Sequence, residues 1–204
     1  MAYKYRGEFS KLEYGATLAA SLAYMLISQK DAAGLTLYSD KIESYFPPKS
    51  SRLYLKTILA ALSGISPAGS TSISSCSETI SSKIKKRGLA IFISDFLEEP
   101  ESILKLLKQV HFRKNEVIVF QILDPSEIRF DFDDDVTFTD LESGTEITAH
   151  PPLIRKAYKE RMKEHTDILK LECRKLGIEY NLIETAVPFD KALTAYFSKR
   201  EKMF

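Results

Sequence analysis

The sequence has few of the features that would assign a chain of 204 residues to a special class. It contains two cysteines, Cys76 and Cys173, which excludes a disulfide framework or a cysteine-rich zinc site and predicts a reducing, cytoplasmic location. Its longest nearly apolar stretch, residues 18–27, is too short to cross a bilayer, so no membrane span is expected. Its 29 basic and 28 acidic residues leave a net charge of +1, which argues against a nucleic-acid binder that works through bulk charge.

The chain does have enough apolar side chains for a sizeable core. Hydrophobic residues make up 44% of it and aromatic residues 11%, which excludes disorder as the dominant state. The charge is unevenly distributed: residues 1–94 carry 12 basic and 6 acidic side chains, residues 95–150 carry 5 and 14, and residues 151–204 carry 12 and 8. The natural complement of the acidic middle segment is a cation or a basic partner surface.

Two continuous apolar runs, Leu89–Ile93 and Val117–Leu123, indicate parallel strands that are covered on both faces. The apolar spacing of residues 101–110 predicts the helix that joins them. The elements predicted before these runs are a helix from Ser10 to about Lys30, strands at 34–38 and 42–46, and helices at about 50–63 and 73–86. Pro47 and Pro48 are expected to stop the second of these strands. The elements predicted after the runs are a hairpin within 131–149, a helix at 153–176, an edge strand at 178–183 and a final helix from Pro188 with Leu193, Tyr196 and Phe197 inward.

This order predicts an α/β fold, a doubly wound, Rossmann-like sheet that is mostly parallel, with one antiparallel edge strand and an inserted β-hairpin. No internal repeat or low-complexity linker interrupts the chain. We therefore interpret residues 1–204 as a single domain, with residues 1–9 as a flexible lead-in.

Ligands of such sheets collect outside the carboxyl ends of the parallel strands. Three aspartates follow predicted strands, namely Asp40, Asp95 and Asp124, and the alternating directions of the elements bring the loop with Ser70 and Thr71 to the same edge as Asp95. A hydroxyl of Thr71 or Ser70 and the carboxylate of Asp95 could share one hard cation. Simpler interpretations stay open, because Thr71 could cap the next helix, Asp95 could cap a helix or end a turn, and Asp124 before a proline is typical of a turn.

Several of these stretches, in their joint order, resemble a known bacterial family. They are Lys11-Leu12-Glu13-Tyr14, Asp31-Ala32-Ala33-Gly34-Leu35, Pro67-Ala68-Gly69-Ser70-Thr71, Ile93-Ser94-Asp95-Phe96-Leu97, Leu123-Asp124-Pro125-Ser126-Glu127 and Val187-Pro188-Phe189-Asp190. Residues 11–197 resemble the carboxyl-terminal region of the family called domain of unknown function 58, whose fold is of the von Willebrand factor type A kind. The resemblance implies a three-layer α/β domain.

Type A domains of this kind carry a metal-ion-dependent adhesion site (MIDAS) in three loops: an Asp-x-Ser-x-Ser motif after the first strand, a threonine and an aspartate. By the resemblance, Thr71 supplies the threonine and Asp95 the aspartate, with Mg²⁺, or else Mn²⁺ or Ca²⁺, as the ion. The first motif is absent from the sequence. We therefore expect a chain that starts one strand late, with weak metal binding and with exposed neighbouring strands that are prone to pair with another chain.

The resemblance implies a non-enzymatic adaptor, a protein-interaction module that works with a MoxR-type AAA+ ATPase. The partner would contact the edge that carries Thr71, Asp95, Ser70, Asp40 and Asp124, and no residue is assigned a catalytic role. The alternative is an enzyme that uses strand-end carboxylates with Mg²⁺, such as a phosphohydrolase. That alternative needs a second acidic ligand or a nucleophile at the end of the first strand.

The remaining polar motifs have ordinary explanations. His111, His150 and His165 lack the spacing of a metalloprotease, and His165 lies on an apolar helical stripe, so a core position is expected for it. The acidic run at residues 131–135 lacks the glycine and the distal glutamate of a calcium loop, which favours a solvated loop. The basic run at residues 83–87 follows a predicted helix, where cations are favoured by the helix dipole.

Overall fold

A computed structural model gives the chain as helices and strands in alternation. The structure describes residues 1, 3–4, 9–66, 73–84, 87–132, 136–139, 146–191 and 193–194. The elements, in chain order, are α1 (Lys11–Ser28), β1 (Ala33–Tyr38), β2 (Ile42–Lys49), α2 (Arg52–Ser63), α3 (Ile73–Lys83), β3 (Leu89–Ser94), α4 (Pro100–Phe112), β4 (Glu116–Leu123), α5 (Pro125–Arg129), β5 (Val136–Thr139), β6 (Glu146–Ala149), α6 (Pro151–Lys175) and β7 (Glu179–Glu184).

Most elements lie where the sequence predicts them, but two differ. β2 continues through Pro47 and Pro48 to Lys49, so the prediction that these prolines end the strand is wrong. Proline is tolerated because β2 pairs on one side only within the described sheet, and the free side of a strand needs no N–H donor. The short helix α5 lies where only a turn is predicted, after Asp124.

The described strands form three sheets. β3, β4 and β7 make a parallel sheet in the order β3-β4-β7, so β7 is an edge strand as predicted. β1 pairs antiparallel with β2, and β5 pairs antiparallel with β6 as the predicted hairpin. The mixed α/β architecture with a parallel sheet is confirmed. The continuous sheet that the prediction implies is divided here, because no strand in the described part of the chain pairs with both β1 and β3.

Helices cover both faces of the parallel sheet, as the continuous apolar runs predict. β4 is buried from Val117 to Leu123, and its alternate side chains enter different cores. Ile118 and Phe120 pack with α1 on one face, whereas Val119 packs with α3, α4 and α6 on the other. A further apolar cluster joins α1 to β1 and α2.

The first turn of α1 is fixed by a cap and by close packing on the sheet. The Oγ of Ser10 accepts a hydrogen bond from the N–H of Glu13 at 3.2 Å, and Oε2 of Glu13 accepts one from the N–H of Ser10 at 2.7 Å. This reciprocal pair is a capping box. At Gly15, a Cβ atom would come within 3.3 Å of side-chain atoms of Ile93 and Ile122, so the helix lies almost directly on the ends of β3 and β4.

The carboxyl-terminal helix is seen in part. Residues 189–191 and 193–194 are helical after Pro188, and Leu193 packs against the core on the α1 side, as predicted. Tyr196 and Phe197 lie outside the described residues.

Candidate functional site

A cluster of charged residues lies at the carboxyl ends of the strands, and we call it the rim; it consists of Lys11, Asp40, Asp95, Glu98, Asp124 and Glu127. Asp95 follows the last residue of β3, and Asp124 follows the last residue of β4. Because Ser94 lies opposite Gln121 in the parallel pair, the two loops lie side by side.

Lys11 is the centre of the rim. Its side chain is 2% exposed, and its Nζ lies 2.9 Å from Oδ2 of Asp95 and 2.6 Å from Oε1 of Glu127. Both contacts are charge-assisted hydrogen bonds, the stronger class of such bonds. The amino group of Met1 lies 3.3 Å from the same Asp95 oxygen, so this carboxylate faces two positive groups.

The pKa values of the pair follow from burial and from the opposite charges. Burial acts to lower the pKa of Lys11, but the carboxylates of Asp95 and Glu127 outweigh it and raise the pKa above its ordinary value. Burial acts to raise the pKa of Asp95, but the ammonium of Lys11 and the amino group of Met1 hold this pKa below its ordinary value. Both side chains are therefore charged at neutral pH, and the rim contains a fixed ion pair.

The backbone beside Asp95 is held from two sides. The Nε2 of Gln121 donates a hydrogen bond to the carbonyl of Asp95 at 2.7 Å, and Nε2 of His165 donates one to the carbonyl of Phe96 at 2.6 Å. Phe96 is 1% exposed and has a φ of 48°, a left-handed conformation that is uncommon for a large side chain. Such a conformation persists only where its surroundings enforce it. The carboxylate of the neighbouring Asp95 accepts the hydrogen bond from Lys11.

Asp124 and Glu127 begin the short helix α5 together. Oδ1 of Asp124 accepts hydrogen bonds from the N–H and the Oγ of Ser126 at 2.9 and 2.6 Å, and Oε2 of Glu127 accepts one from the N–H of Asp124 at 2.8 Å. Asp124 is 1% exposed, so it has almost no surface for a partner, and its geometry is that of a helix cap. Glu127 serves both the cap and Lys11, with one oxygen each.

The loop with Ser70 and Thr71 lies outside the described residues, so their assignment as metal ligand, rim residue or helix cap stays a prediction. The helix that follows the loop is described, and it begins at the rim. The N–H of Ile73 donates to the carboxylate of Glu98, with oxygens at 2.8 and 2.9 Å.

Asp40 lies on the exposed side of the rim. Its Oδ1 accepts a hydrogen bond from the Oγ of Ser39 at 3.0 Å, and its backbone carbonyl accepts one from the Oγ of Ser75 in the first turn of α3. The start of α3 therefore connects Asp40 with Glu98.

The described residues do not fit a divalent metal ion at the rim. Mg²⁺ and Ca²⁺ need several fixed oxygen ligands, whereas the described part of the chain has no group of three or more His, Cys, Asp or Glu side chains that could hold a metal. The Oδ2 of Asp95 already faces the ammonium of Lys11 at 2.9 Å. A metal ion bound to the same oxygen would be repelled by this ammonium. The metal site of Thr71 and Asp95 stays a prediction.

The other polar motifs of the sequence have structural partners where they are described. His165 is half-buried on the stripe of α6 and donates a hydrogen bond to the Phe96 carbonyl. Lys83 lies over the ring of Tyr45, 5.0 Å from its centroid. Residues 85–86 of the basic run and residues 133–135 of the acidic run lie outside the described residues.

The sequence assigns no role to Lys11 or Glu127. One signal is nevertheless present: Lys11 is the first residue of α1, where the positive end of the helix dipole disfavours a cation. Such a local conflict indicates a constraint from elsewhere in the fold. Glu127 is recognisable as the third residue after a capping aspartate, but nothing local to it indicates the bond to Lys11.

Comparisons with known proteins give a family and a fold. The family described as protein of unknown function DUF58 matches residues 3–168. No curated protein matches the chain.

Among the solved structures that resemble this one are two bacterial proteins. The crystal structure of the conserved hypothetical protein BatB from Bacteroides thetaiotaomicron has 14% sequence identity and a TM-score of 0.55, over 96% of this chain and 91% of that one. An aerotolerance-related membrane protein from Bacteroides fragilis, with multiple mutations to serines, has 15% identity and a TM-score of 0.57, over 96% and 90%. At such identities the likeness concerns the fold alone. None of the described helices of this chain combines the length and the apolar character that a membrane crossing requires.

Proposed function

The chain belongs to the DUF58 family of proteins of unknown function, and on this premise we propose that it is a non-enzymatic module that binds another protein at the rim. In this proposal residues 1–204 form one three-layer domain of the von Willebrand factor A type. Two features support it: α1 covers one face of the parallel sheet while α3, α4 and α6 cover the other, and the fold is similar to that of BatB.

The observation that carries the proposal is a rigid loop with exposed neighbours. The backbone of Asp95 and Phe96 is held by two side-chain hydrogen bonds in a strained conformation. Directly beside it, Leu97 is 44% exposed, and Asp40 is exposed across the start of α3. Binding residues are commonly held in this way, on loops that a rigid scaffold positions.

We propose a MoxR-type AAA+ ATPase as the partner, on the resemblance given above. The rim lies mostly in the acidic segment of residues 95–150, so the contact surface of the partner should be basic. The predicted Mg²⁺ site of Thr71 and Asp95 stays a prediction, and the binding role does not depend on it.

The phosphohydrolase alternative has less support. Metal-dependent phosphoryl chemistry needs carboxylates that are available for Mg²⁺ or for nucleophilic attack. Asp95 and Glu127 are both bonded to Lys11, and Asp124 is used as a helix cap. These three carboxylates are therefore better placed to hold the shape of a surface than to bind Mg²⁺ or attack a substrate.

The proposal can be tested by capture of the purified ATPase on the immobilised full chain. Asp40→Lys reverses an exposed charge at the rim. Asp31→Lys reverses another exposed charge, before the opposite end of β1, which makes it the matched control. We expect Asp40→Lys to weaken capture about tenfold or more, because like charges then meet across the interface. Asp31→Lys should leave capture unchanged.

Equal capture by the wild type and Asp40→Lys would contradict the proposal, provided that both fold alike by circular dichroism. Hydrolysis of a phosphomonoester by the wild-type chain with Mg²⁺ would favour the enzyme instead.

A further inference from the structure

The ammonium of Lys11 lies beside the carboxylate that the resemblance assigns to a metal ion. It is 2.9 Å from Oδ2 of Asp95 and also binds Glu127 at 2.6 Å. The side chains of these two acids are only 15% and 13% exposed. The two carboxylates share the ammonium of Lys11, which belongs to the chain itself, and Asp95 also faces the amino group of Met1 at 3.3 Å.

Two such carboxylates need a positive charge nearby. Without one, they would repel each other in a region of low effective dielectric constant, and both would lose most of their hydration. A divalent ion could satisfy them, and so can an ammonium that donates a hydrogen bond to each. Lys11 does this from a position that needs no ion from solution.

The fold holds Lys11 in position by several contacts. The capping box of Ser10 and Glu13 fixes the turn from which the lysine starts. Its Nζ lies 5.8 Å from the centroid of the Tyr3 ring, within the usual range of a cation–π contact. These contacts order the Lys11 side chain, so that holding it between the two carboxylates costs little further conformational entropy.

We infer that the Lys11 ammonium takes the place of a divalent cation at the rim, so that the rim keeps its shape and its partner surface without a metal. That the rim is a partner surface rests on the proposed function. What is added here is that the rim keeps its shape without a metal ion.

The first test is the binding of Mn²⁺ alone to the full chain, measured as the loss of the signal of free Mn²⁺ in electron paramagnetic resonance. Lys11→Met removes the ammonium shared by the two carboxylates, while the amino group of Met1 stays beside Asp95. We expect it to bind Mn²⁺ about tenfold more tightly than the wild type, or better, because a positive charge within about 4 Å of the ion is removed. Lys11→Arg keeps the charge and should behave like the wild type.

A double variant identifies the new site. Adding Glu127→Gln to Lys11→Met removes one of the two charges and should abolish the gain. The inference is overturned if the wild type binds Mn²⁺ as tightly as Lys11→Met, or if a folded Lys11→Met shows no gain.

A second measurement needs no variant and decides the matter if Lys11→Met does not fold. Reductive methylation of the wild type, followed by mass spectrometry, reports how accessible each lysine is. Lys11 should stay unmodified with and without millimolar Mn²⁺, whereas Lys156, which is 90% exposed, should react in both cases. Modification of Lys11 that appears only with Mn²⁺ would show that a metal displaces it, and would overturn the inference.

Partner capture separates this inference from the proposed function. The ATPase is first loaded with the nucleotide that it needs. Its capture by the wild-type chain should then be equal in EDTA and in Mg²⁺. Loss of capture in EDTA alone overturns metal independence and leaves the proposed function standing. Absence of capture in both conditions counts against the proposed function, while the Mn²⁺ measurements still decide the inference.

Discussion

Lys11 carries a full charge at a position that is only 2% exposed. A buried ion pair adds little net stability over apolar packing, but removing one partner leaves the other charge buried without compensation. In the wild type the cost of burying Lys11 is offset by two carboxylates, each of which accepts a hydrogen bond from its ammonium. The free energy of unfolding should therefore be sensitive to this side chain.

We predict that Lys11→Met lowers the free energy of unfolding by about 3 kcal/mol, measured by urea denaturation. The value lies at the lower end of the usual range because Asp95 and Glu127 keep some contact with water. Lys163→Met is the matched control, since Lys163 pairs with Asp167 at 2.8 Å but is 79% exposed, and such pairs contribute little. Equal losses in the two variants would contradict the buried role of Lys11.

At the scale of elements, α1 connects the apolar core to the rim. Its apolar side, with Leu18 and Leu22, packs on the parallel sheet, and its first residue is Lys11. The close approach at Gly15 sets the distance between helix and sheet. A larger side chain there would push the helix away from β3 and β4, and Lys11 with it.

We predict that Gly15→Val destabilises the protein by about 1–3 kcal/mol, because overpacking forces side chains or backbone to move. Gly88→Val is the control, since a Cβ at Gly88 would meet nothing within 4 Å. Thermal unfolding followed by circular dichroism measures both. If Gly15→Val were as stable as Gly88→Val, α1 would have more freedom above the sheet than its packing indicates.

The elements themselves could be read from the sequence to a large extent. Alternation, apolar spacing and capping residues are local signals, and α1, β3, α4, β4 and α6 lie within a few residues of their predicted positions. The error at the end of β2 has a cause that is not local. Pro47 and Pro48 end a strand only if their N–H groups are needed for pairing, and the sequence does not say that β2 has a free side.

At the scale of the whole molecule, the two thiols report whether the main core is closed. Cys76 of α3 and Cys173 of α6 both belong to the apolar cluster under the parallel sheet and are 2% and 0% exposed. Burial, with a smaller contribution from Glu172, raises the pKa of Cys173 to about 11, and burial also raises the pKa of Cys76. Thiolate is the reactive form of cysteine, so both should be inert.

We predict that Ellman's reagent does not react with the native chain on the time scale of mixing and titrates both thiols in guanidinium chloride. Slow modification of the native chain should follow opening of the core and increase with denaturant. Prompt modification of either thiol in buffer would contradict the closed packing around α3 and α6.

The uneven charge distribution along the chain is partly neutralised within the folded protein. The sequence gives an acidic segment between two basic flanks, whose complement could be a cation or a partner. In the folded chain, Lys11 of the basic first flank lies between Asp95 and Glu127 of the acidic segment. The chain itself therefore supplies part of the positive charge that this segment needs. In the proposed function, the exposed Asp40 is the acidic part of the rim that a partner would contact.

The sequence by itself determined the mixed α/β architecture, most of the elements and the strand-end position of Asp95, because each depends on residues that are close along the chain. Only the tertiary structure decided what Asp95 faces. Its partner Lys11 is 84 residues away in the chain, and Lys11 and Glu127 are 116 residues apart. The packing of α1 on the sheet brings the three together, and no local pattern encodes that contact except the unfavourable position of a lysine at the start of a helix.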